Sequence, residues 1–120
     1  MDDALVTDLR REVGDALRAV GTYDGDDYHV RYLRDDVAPA LDDDDLDAIR
    51  QGAVFDSLER DYYERLFSTA GDFEATVRRF EDALVVEVPT GHGGGVLASV
   101  DRHHDGSVSA VIERCRAVAV

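Results

Sequence analysis

The stretch FEATVRRFEDALVVEV (residues 73–88) decides the fold class of this sequence. Two runs rich in β-branched and aromatic residues flank Glu81-Asp82, a polar pair that suits a tight turn. A third such run, 96–100, follows a glycine-rich loop over 89–95. The pattern predicts three consecutive antiparallel strands over 73–80, 83–88 and 96–100. The most apolar of them, 83–88, is expected at the centre of the sheet.

The residues before this stretch predict a helix followed by a hairpin. Apolar residues recur on one side of a helical wheel over 2–20, and Gly21 suits the helix end. Asp24-Gly25 is a strong turn signal between Thr22-Tyr23 and the run 28–33. In that run Tyr28, Val30 and Tyr32 alternate and are expected on one face.

A pair of helices is predicted between the hairpin and the three strands. Two apolar stripes, each at helical spacing, are rotated against one another by more than about 100°. They are Leu46, Ile49 and Ala53 in the first stripe, and Phe55, Leu58, Tyr62 and Leu66 in the second. One straight helix cannot bury both stripes in one core. We therefore expect a break near Gly52, with helices over 43–51 and 53–68.

The chain closes with a predicted helix from Ser107, a suitable cap, to about residue 118. Its narrow apolar stripe contains Cys115, which is expected to be a buried small hydrophobe. The complete order is α-β-β-α(α)-β-β-β-α over a single domain, 1–120. It predicts the α+β class, with an antiparallel sheet of about five strands and helices packed on its faces.

The composition excludes several classes of enzyme. The chain has 120 residues, and all 13 basic residues are arginine. Without lysine there can be no P-loop, protein kinase or Schiff-base chemistry. One cysteine supports neither an intramolecular disulfide nor a cysteine-based zinc site. Residues 1–4 show no secretory signal and no apolar run is long enough for a membrane span, so we expect a cytoplasmic protein.

The charge balance is that of a salt-adapted protein. There are 27 acidic residues, a net charge of −14 and no lysine. This composition resembles that of proteins from salt-in halophiles, above all haloarchaea, in which carboxylates hold water and ions. At 1 M salt the Debye length is about 3 Å, so net charge decides little beyond contact range. A nucleic-acid role would need Arg10, Arg11, Arg114 and Arg116 on one surface, and nucleic acid is not expected as a partner.

Two resemblances follow from these patterns. The element order is similar to that of roadblock/LC7 domains and to profilin-like topology, in which two strands and three strands flank a middle helix. That resemblance implies dimeric scaffold proteins that serve small GTPases and motors. The segments YLRDDV (32–37) and RFEDALVV (79–86) resemble those of small uncharacterised haloarchaeal proteins, a family that implies no known activity.

Several motifs contain residue types that could carry chemistry. Gly91-His92-Gly93-Gly94-Gly95 resembles the oxyanion loop of lipases, but the chain has no G-x-S-x-G elbow, so we interpret it as a connection between strands. The cluster Asp101, His103, His104 and Asp105 offers metal ligands, yet adjacent histidines in an extended segment point apart. Neither Asp24–Asp27 nor Asp42–Asp45 fits a calcium loop. We expect no catalytic residue, no metal and no cofactor.

The candidate site is an aromatic pair on the second helix of the pair. Tyr63 and Phe67 are spaced i, i+4 and lie off the main stripe, with Arg60 nearby as part of a polar rim. They are a candidate interface, whose alternative is a wide core stripe. We therefore predict a non-enzymatic interaction or regulatory module that forms a homodimer or binds a protein partner. The alternatives are a PAS-like or profilin-like small-molecule sensor and a metal-dependent hydrolase using His92, His103 and His104.

Overall fold

A computed structural model describes residues 3–24, 27–90, 93–104 and 106–118, apart from the side chains of Ser57 and Val118. The helices are α1 (Ala4–Val13), α2 (Asp43–Leu58), α3 (Arg60–Leu66) and α4 (Val108–Val118). The strands are β1 (Leu17–Asp24), β2 (Asp27–Leu33), β3 (Thr76–Arg79), β4 (Ala83–Thr90) and β5 (Gly94–Asp101). Short 3-10 turns lie at Gly14–Ala16 and Ala38–Ala40.

The five strands form one antiparallel sheet in the order β2-β1-β5-β4-β3. The predicted α+β class and element order are confirmed. The middle position belongs to β5, so the placement of 83–88 at the centre was wrong. The apolar run of β4 has a different cause: β4 is an interior strand with neighbours on both sides, and one of its faces belongs to the core.

The main core lies on the sheet face that α1 and α4 cover. Side chains from both helices interlock with the residues of β1, β4 and β5 that point to that face. The fully enclosed ones are Leu9, Leu17, Val20, Val86, Val88, Val96, Val100, Val111 and Cys115. Burying a side chain of this size contributes roughly 1.5–3 kcal/mol, so this layer dominates the stability of the fold.

Helix α1 is much shorter than the periodicity predicted. Asp3 caps it, because its Oδ1 accepts from the backbone N–H groups of Leu5 (3.1 Å) and Val6 (3.3 Å). Gly14 then ends it with a φ of 60°, a conformation that favours glycine. Residues 17–20 belong to β1, so the prediction of a helix to residue 20 was wrong. Leu17 and Val20 fit the apolar stripe of the predicted helix because they point into the same core as α1, although they belong to β1.

A register shift separates the tyrosines of β2. Val20 pairs with Tyr32 but Gly21 pairs with Val30, which leaves Arg31 as an extra residue in β2. Tyr32 consequently packs on the core side, where the Arg10 guanidinium lies 5.6 Å from its ring centroid. Tyr28 and Val30 face the opposite side, toward α2. The prediction that all three side chains share one face was wrong.

The break in the helix pair falls at Glu59 rather than near Gly52. Helix α2 runs through Gly52 because one glycine costs a helix only about 1 kcal/mol. The predicted break assumed that both apolar stripes are buried. Ala53 of the first stripe is buried, whereas all four residues of the second stripe are exposed. A helix with one stripe on the sheet and another in solvent needs no break between them.

The remaining elements agree with the prediction apart from their ends. Phe80 donates its backbone N–H to the Ala83 carbonyl across the predicted turn (2.7 Å). Ser107 Oγ caps α4 by accepting from Ala110 N–H (3.3 Å). Strand β3 begins at Thr76 rather than at Phe73, and β4 and β5 are longer than predicted, so they shorten the glycine loop. Within the described residues, no helix is long and apolar enough to cross a membrane.

Cys115 is enclosed in the core, and burial raises the pKa of its thiol from 9.0 to about 12. We expect thiol reagents to leave it unmodified in the native protein, since the thiolate fraction at pH 8 is about a thousandfold lower than at the ordinary pKa. The measurement is the rate of iodoacetamide labelling with and without urea. An added Ser109→Cys, exposed on the same helix, is the control and should label at once. Rapid native labelling of Cys115 would show that α4 does not seal this core.

Candidate interaction surface

The second sheet face carries α2, and α2 and α3 together expose several large apolar side chains. We call this set the α2–α3 surface. Its members are Phe55, Leu58, Tyr62, Leu66 and Phe67, each between 54% and 74% exposed. Scattered apolar side chains are normal on a protein surface. Five of them within thirteen residues form a patch of the kind that marks an interaction site.

The packing of α2 explains why this stripe faces outward. Ala53 is buried against the sheet, and Asp56 lies near it, where its carboxylate pairs with the Arg78 guanidinium of β3. These contacts fix the rotation of α2 about its axis. Phe55 and Leu58 then lie on the side away from the sheet, because the residues that touch it recur at helical spacing. The rotation between the two apolar stripes of the sequence was therefore the signal for this surface.

The predicted interface residues belong to this surface or to its rim. Tyr63 is 38% exposed and stacks on Phe73 at 6.0 Å between ring centroids, with an edge contact to Tyr62 at 5.6 Å. Phe67 lies at the end of α3 and is 60% exposed. Part of the Tyr63 ring therefore packs against Phe73 and holds α3 on the segment before β3. The Phe67 ring is more exposed and is available to contact a partner.

Arg60 lies at the start of α3, beside the α2–α3 surface. Its Nε lies 3.4 Å from Glu64 Oε1, which also accepts the backbone N–H of Phe73 at 3.0 Å. The pair therefore ties α3 to the segment that leads into β3. Whether Arg60, Tyr63 and Phe67 contact a partner stays a prediction.

Strand β3 is the edge of the sheet beside this surface. Among the described residues its ladder partner is β4 alone, so its outer backbone groups are unpaired. Val77 and Phe80, on and just after this strand, are 43% and 54% exposed. An edge strand with apolar side chains is a template for pairing with another chain.

Beneath α2 lies a buried acid that sequence reasoning missed. Glu87 is 3% exposed and bonded at both oxygens, to the Tyr23 hydroxyl at 3.2 Å and the Arg78 guanidinium at 3.4 Å. Burial, with a smaller contribution from the nearby Asp56 carboxylate, raises the pKa of Glu87 above its ordinary value of 4.5. The available signal was one acid inside the apolar run 84–88. The Glu87 carboxylate holds the Arg78 guanidinium in place, and Arg78 in turn anchors α2 through Asp56.

The glycine run supports strand packing. Gly94 and Gly95 lie in β5, and a Cβ on Gly95 would come within 2.4 Å of the Tyr23 hydroxyl. The segment connects the antiparallel strands β4 and β5, which confirms its interpretation as a connection. Gly91 and His92 lie outside the described residues.

The histidines do not gather into a site within the described part of the chain. His103 is exposed, while His104 Nδ1 lies 2.9 Å from the Asp101 carbonyl oxygen. Asp105 and His92 are outside the described residues, so the convergence that the hydrolase alternative requires stays untested for His92. Asp24, Asp27 and His29 do approach one another, with ligand atoms within 4.8 Å, but all three are exposed and line the turn of a hairpin.

The four arginines considered for nucleic acid are each paired with a carboxylate. The pairs are Arg10–Asp15, Arg11–Asp8, Arg114–Glu12 and Arg116–Glu113, at 3.7, 3.5, 3.4 and 3.2 Å. A surface on which every such cation already has an acidic neighbour has little excess charge to offer a phosphate backbone.

Comparison with known proteins places the chain in a family. Residues 3–120 match the model of the family described as Domain of unknown function (DUF7522), and the chain belongs to that family. The fold is similar to the crystal structure of a Roadblock/LC7 domain from Streptomyces avermitilis, with a TM-score of 0.62 at 20% identity. The match covers 98% of this chain and 91% of that one. No curated protein matches this sequence. The predicted likeness to an uncharacterised family with a roadblock-like fold is confirmed.

Because the folded state raises the pKa of Glu87, it binds a proton more readily than the unfolded chain does. The contribution of Glu87 is therefore fully present below pH 4.5 and is lost as the pH rises through the folded-state value. We expect the free energy of unfolding of the wild type, minus that of Glu87→Gln, to fall as the pH rises above 4.5. Urea titrations at several pH values measure this difference. The same change at the exposed Glu81 is the control and should leave it flat.

Proposed function

We propose that this protein is a non-enzymatic, cytoplasmic interaction module that forms a homodimer through the α2–α3 surface and the edge strand β3. The observation that carries the proposal is the exposure of five large apolar side chains within thirteen residues of α2 and α3: Phe55, Leu58, Tyr62, Leu66 and Phe67. Removing apolar area from water contributes roughly 25 cal/mol per Å². Covering these side chains with a partner would therefore stabilise a complex.

A second copy of this chain is the partner that these features suit best. The helical patch adjoins the unpaired edge of β3, and two such edges related by a two-fold axis can pair antiparallel. The rim carries both signs of charge, with Arg60 and Arg65 beside Asp61 and Glu64. A surface that mixes both signs can be complementary to itself. The roadblock/LC7 resemblance, which implies dimeric scaffolds, supports the same arrangement.

The acidic composition sets the conditions under which such a dimer is stable. Each copy carries −14, so two copies repel one another at low ionic strength. At 1 M salt the Debye length of about 3 Å removes that repulsion beyond direct contact. A salt-in, haloarchaeal cytoplasm would supply these conditions, and we include that setting in the proposal.

Three observations support the non-enzymatic part of the proposal. The chain has no lysine, and its single cysteine is buried with a raised thiol pKa. The buried acid Glu87 is bonded to Tyr23 and Arg78 and serves the attachment of α2. Neither group is placed to attack or protonate a substrate.

The test is the native mass by light scattering on a sizing column, in multimolar KCl and at low salt. We expect twice the chain mass of 13.2 kDa at high salt, with dissociation at low salt. A monomer at every protein and salt concentration would overturn the homodimer. A complex with a different protein, identified from the native host, would keep the interaction module but replace its partner.

Leu58 and Phe67 give the sharpest variants, since both are exposed and neither supports the core. We expect Leu58→Asp or Phe67→Asp to weaken the dimer at least tenfold, because each buries an unpaired charge at the contact. Ala48→Asp, at an exposed site near the other end of α2, is the matched control. Equal dissociation constants for all three variants would contradict this interface. Unfolding curves check that every variant still folds.

A further inference from the structure

A cavity of about 280 Å³ lies between the first half of α2 and the sheet. It is separate from the α2–α3 surface, which lies on the outer side of the same helix and of α3. Its floor is the face of β1, β2 and β5 opposite the main core, and its roof comes from α2 and the connector before it. The side chains on which the argument rests are Ala19, Tyr28, Val30, Ile49 and Ser99.

The cavity exists because α2 does not close onto the sheet along its first half. Val30 of β2 and Ile49 of α2 both line it, yet they are 41% and 38% exposed. Apolar side chains on opposite walls of a filled layer would cover one another. The gap between Val30 and Ile49 can therefore accommodate a further apolar group.

The connector is pinned, so the cavity is already formed. Arg34 donates to the Asp101 carboxylate at 2.8 and 3.0 Å, to Asp36 at 2.6 Å and to the Asp15 carbonyl at 2.9 Å. These bonds fix the start of the segment that carries Val37 and Leu41 over the cavity. A site held open in this way spares a ligand part of the cost of ordering it.

Two hydroxyl groups on the walls define what the cavity can recognise. Tyr28 lies over Gly21, where an added Cβ would meet the Tyr28 hydroxyl at 2.1 Å. Ser99 projects from β5 between Ala19 and Val85, its register partners. Neither hydroxyl has a hydrogen-bond partner among the described residues, and burial raises the pKa of Tyr28. Both hydroxyls border a cavity whose other walls are largely apolar, so they favour a ligand that brings one hydrogen-bonding group of its own.

The charges at the rim favour an uncharged ligand. Arg18 lines the cavity, and its guanidinium lies 3.4 Å from Asp101. Asp101 also pairs with Arg34, which binds Asp36. Two arginines and two aspartates therefore neutralise one another. A ligand with a net charge would have to be desolvated without a counter-ion of its own.

We propose that the cavity beneath α2 is a binding site for one compact, uncharged, largely apolar molecule that carries a single hydrogen-bonding group. Engineered apolar cavities of about 150 Å³ hold benzene, and drug-sized sites begin near 300 Å³. The volume here suits roughly ten non-hydrogen atoms. The hydrogen-bonding group would meet Tyr28 or Ser99.

The test uses 4-isopropylphenol as the probe and 4-isopropylbenzoate as its charged counterpart. Titration calorimetry in multimolar KCl should give one site for the phenol, with a dissociation constant between about 1 µM and 1 mM. The benzoate should bind at least tenfold more weakly. Ala19→Leu fills the floor and should abolish binding of the phenol. Ala117→Leu, the same change at an exposed position of α4, is the matched control.

Binding of the phenol that is unchanged in Ala19→Leu would overturn the proposal, as would failure of the phenol to bind the folded wild type. If Ala19→Leu does not fold, Ile49→Phe fills the same space from the helix side and takes its place. Native mass measured alongside keeps this site distinct from the dimer, because a monomer that still binds the probe would contradict only the interaction surface.

Discussion

The pairing of β1 with β5 is the interaction on which the rest of the structure depends. It joins Leu17 to Val100 at one end and Tyr23 to Gly95 at the other, across some eighty residues of chain. Everything before residue 70 is connected to the C-terminal hairpin mainly through this ladder. Gly95 is necessary to it, because the Tyr23 ring occupies the space where a side chain would stand. The same pairing brings Tyr23 beside Glu87, so the ladder also positions this buried carboxylate.

That pairing creates a sheet with two largely apolar faces, and the helices of the described residues seal one of them completely and the other in part. Helices α1 and α4 close the first face with residues that are almost wholly enclosed. Helix α2 and the connector before it cover the second face, and α2 is held near its C-terminal end by Ala53 and by the Asp56–Arg78 pair. An ion pair therefore helps to attach α2 to the sheet, whereas α1 and α4 are attached by apolar packing. The incomplete helical cover of this face leaves the space under the first half of α2. It also leaves the apolar side chains on the outer side of α2 without a further layer over them.

The sequence predicted the order of elements and the α+β class because strand and helix periodicities are local properties of the chain. It also predicted the α4 stripe and the burial of Cys115, since both follow from spacing alone. It failed where the outcome depends on what lies across the sheet. The end of α1 was missed because Leu17 and Val20 suit a helix and a strand equally. The tyrosines were misplaced because a bulge at Arg31 cannot be read from alternation. Glu87 and the cavity were missed because they arise between segments far apart in the chain.

The position of α2 also links the two proposals physically. Ile49 and Leu58 belong to one helix, the first over the cavity and the second on the α2–α3 surface. A molecule in the cavity would fill the space under the first half of α2 and add contacts that hold the helix on the sheet. The partner copy requires that helix in one fixed position, so both events would select the same state of α2. Where both proposals hold, linkage makes the coupling reciprocal: occupancy of the cavity strengthens the dimer by the same factor as dimer formation strengthens binding in the cavity.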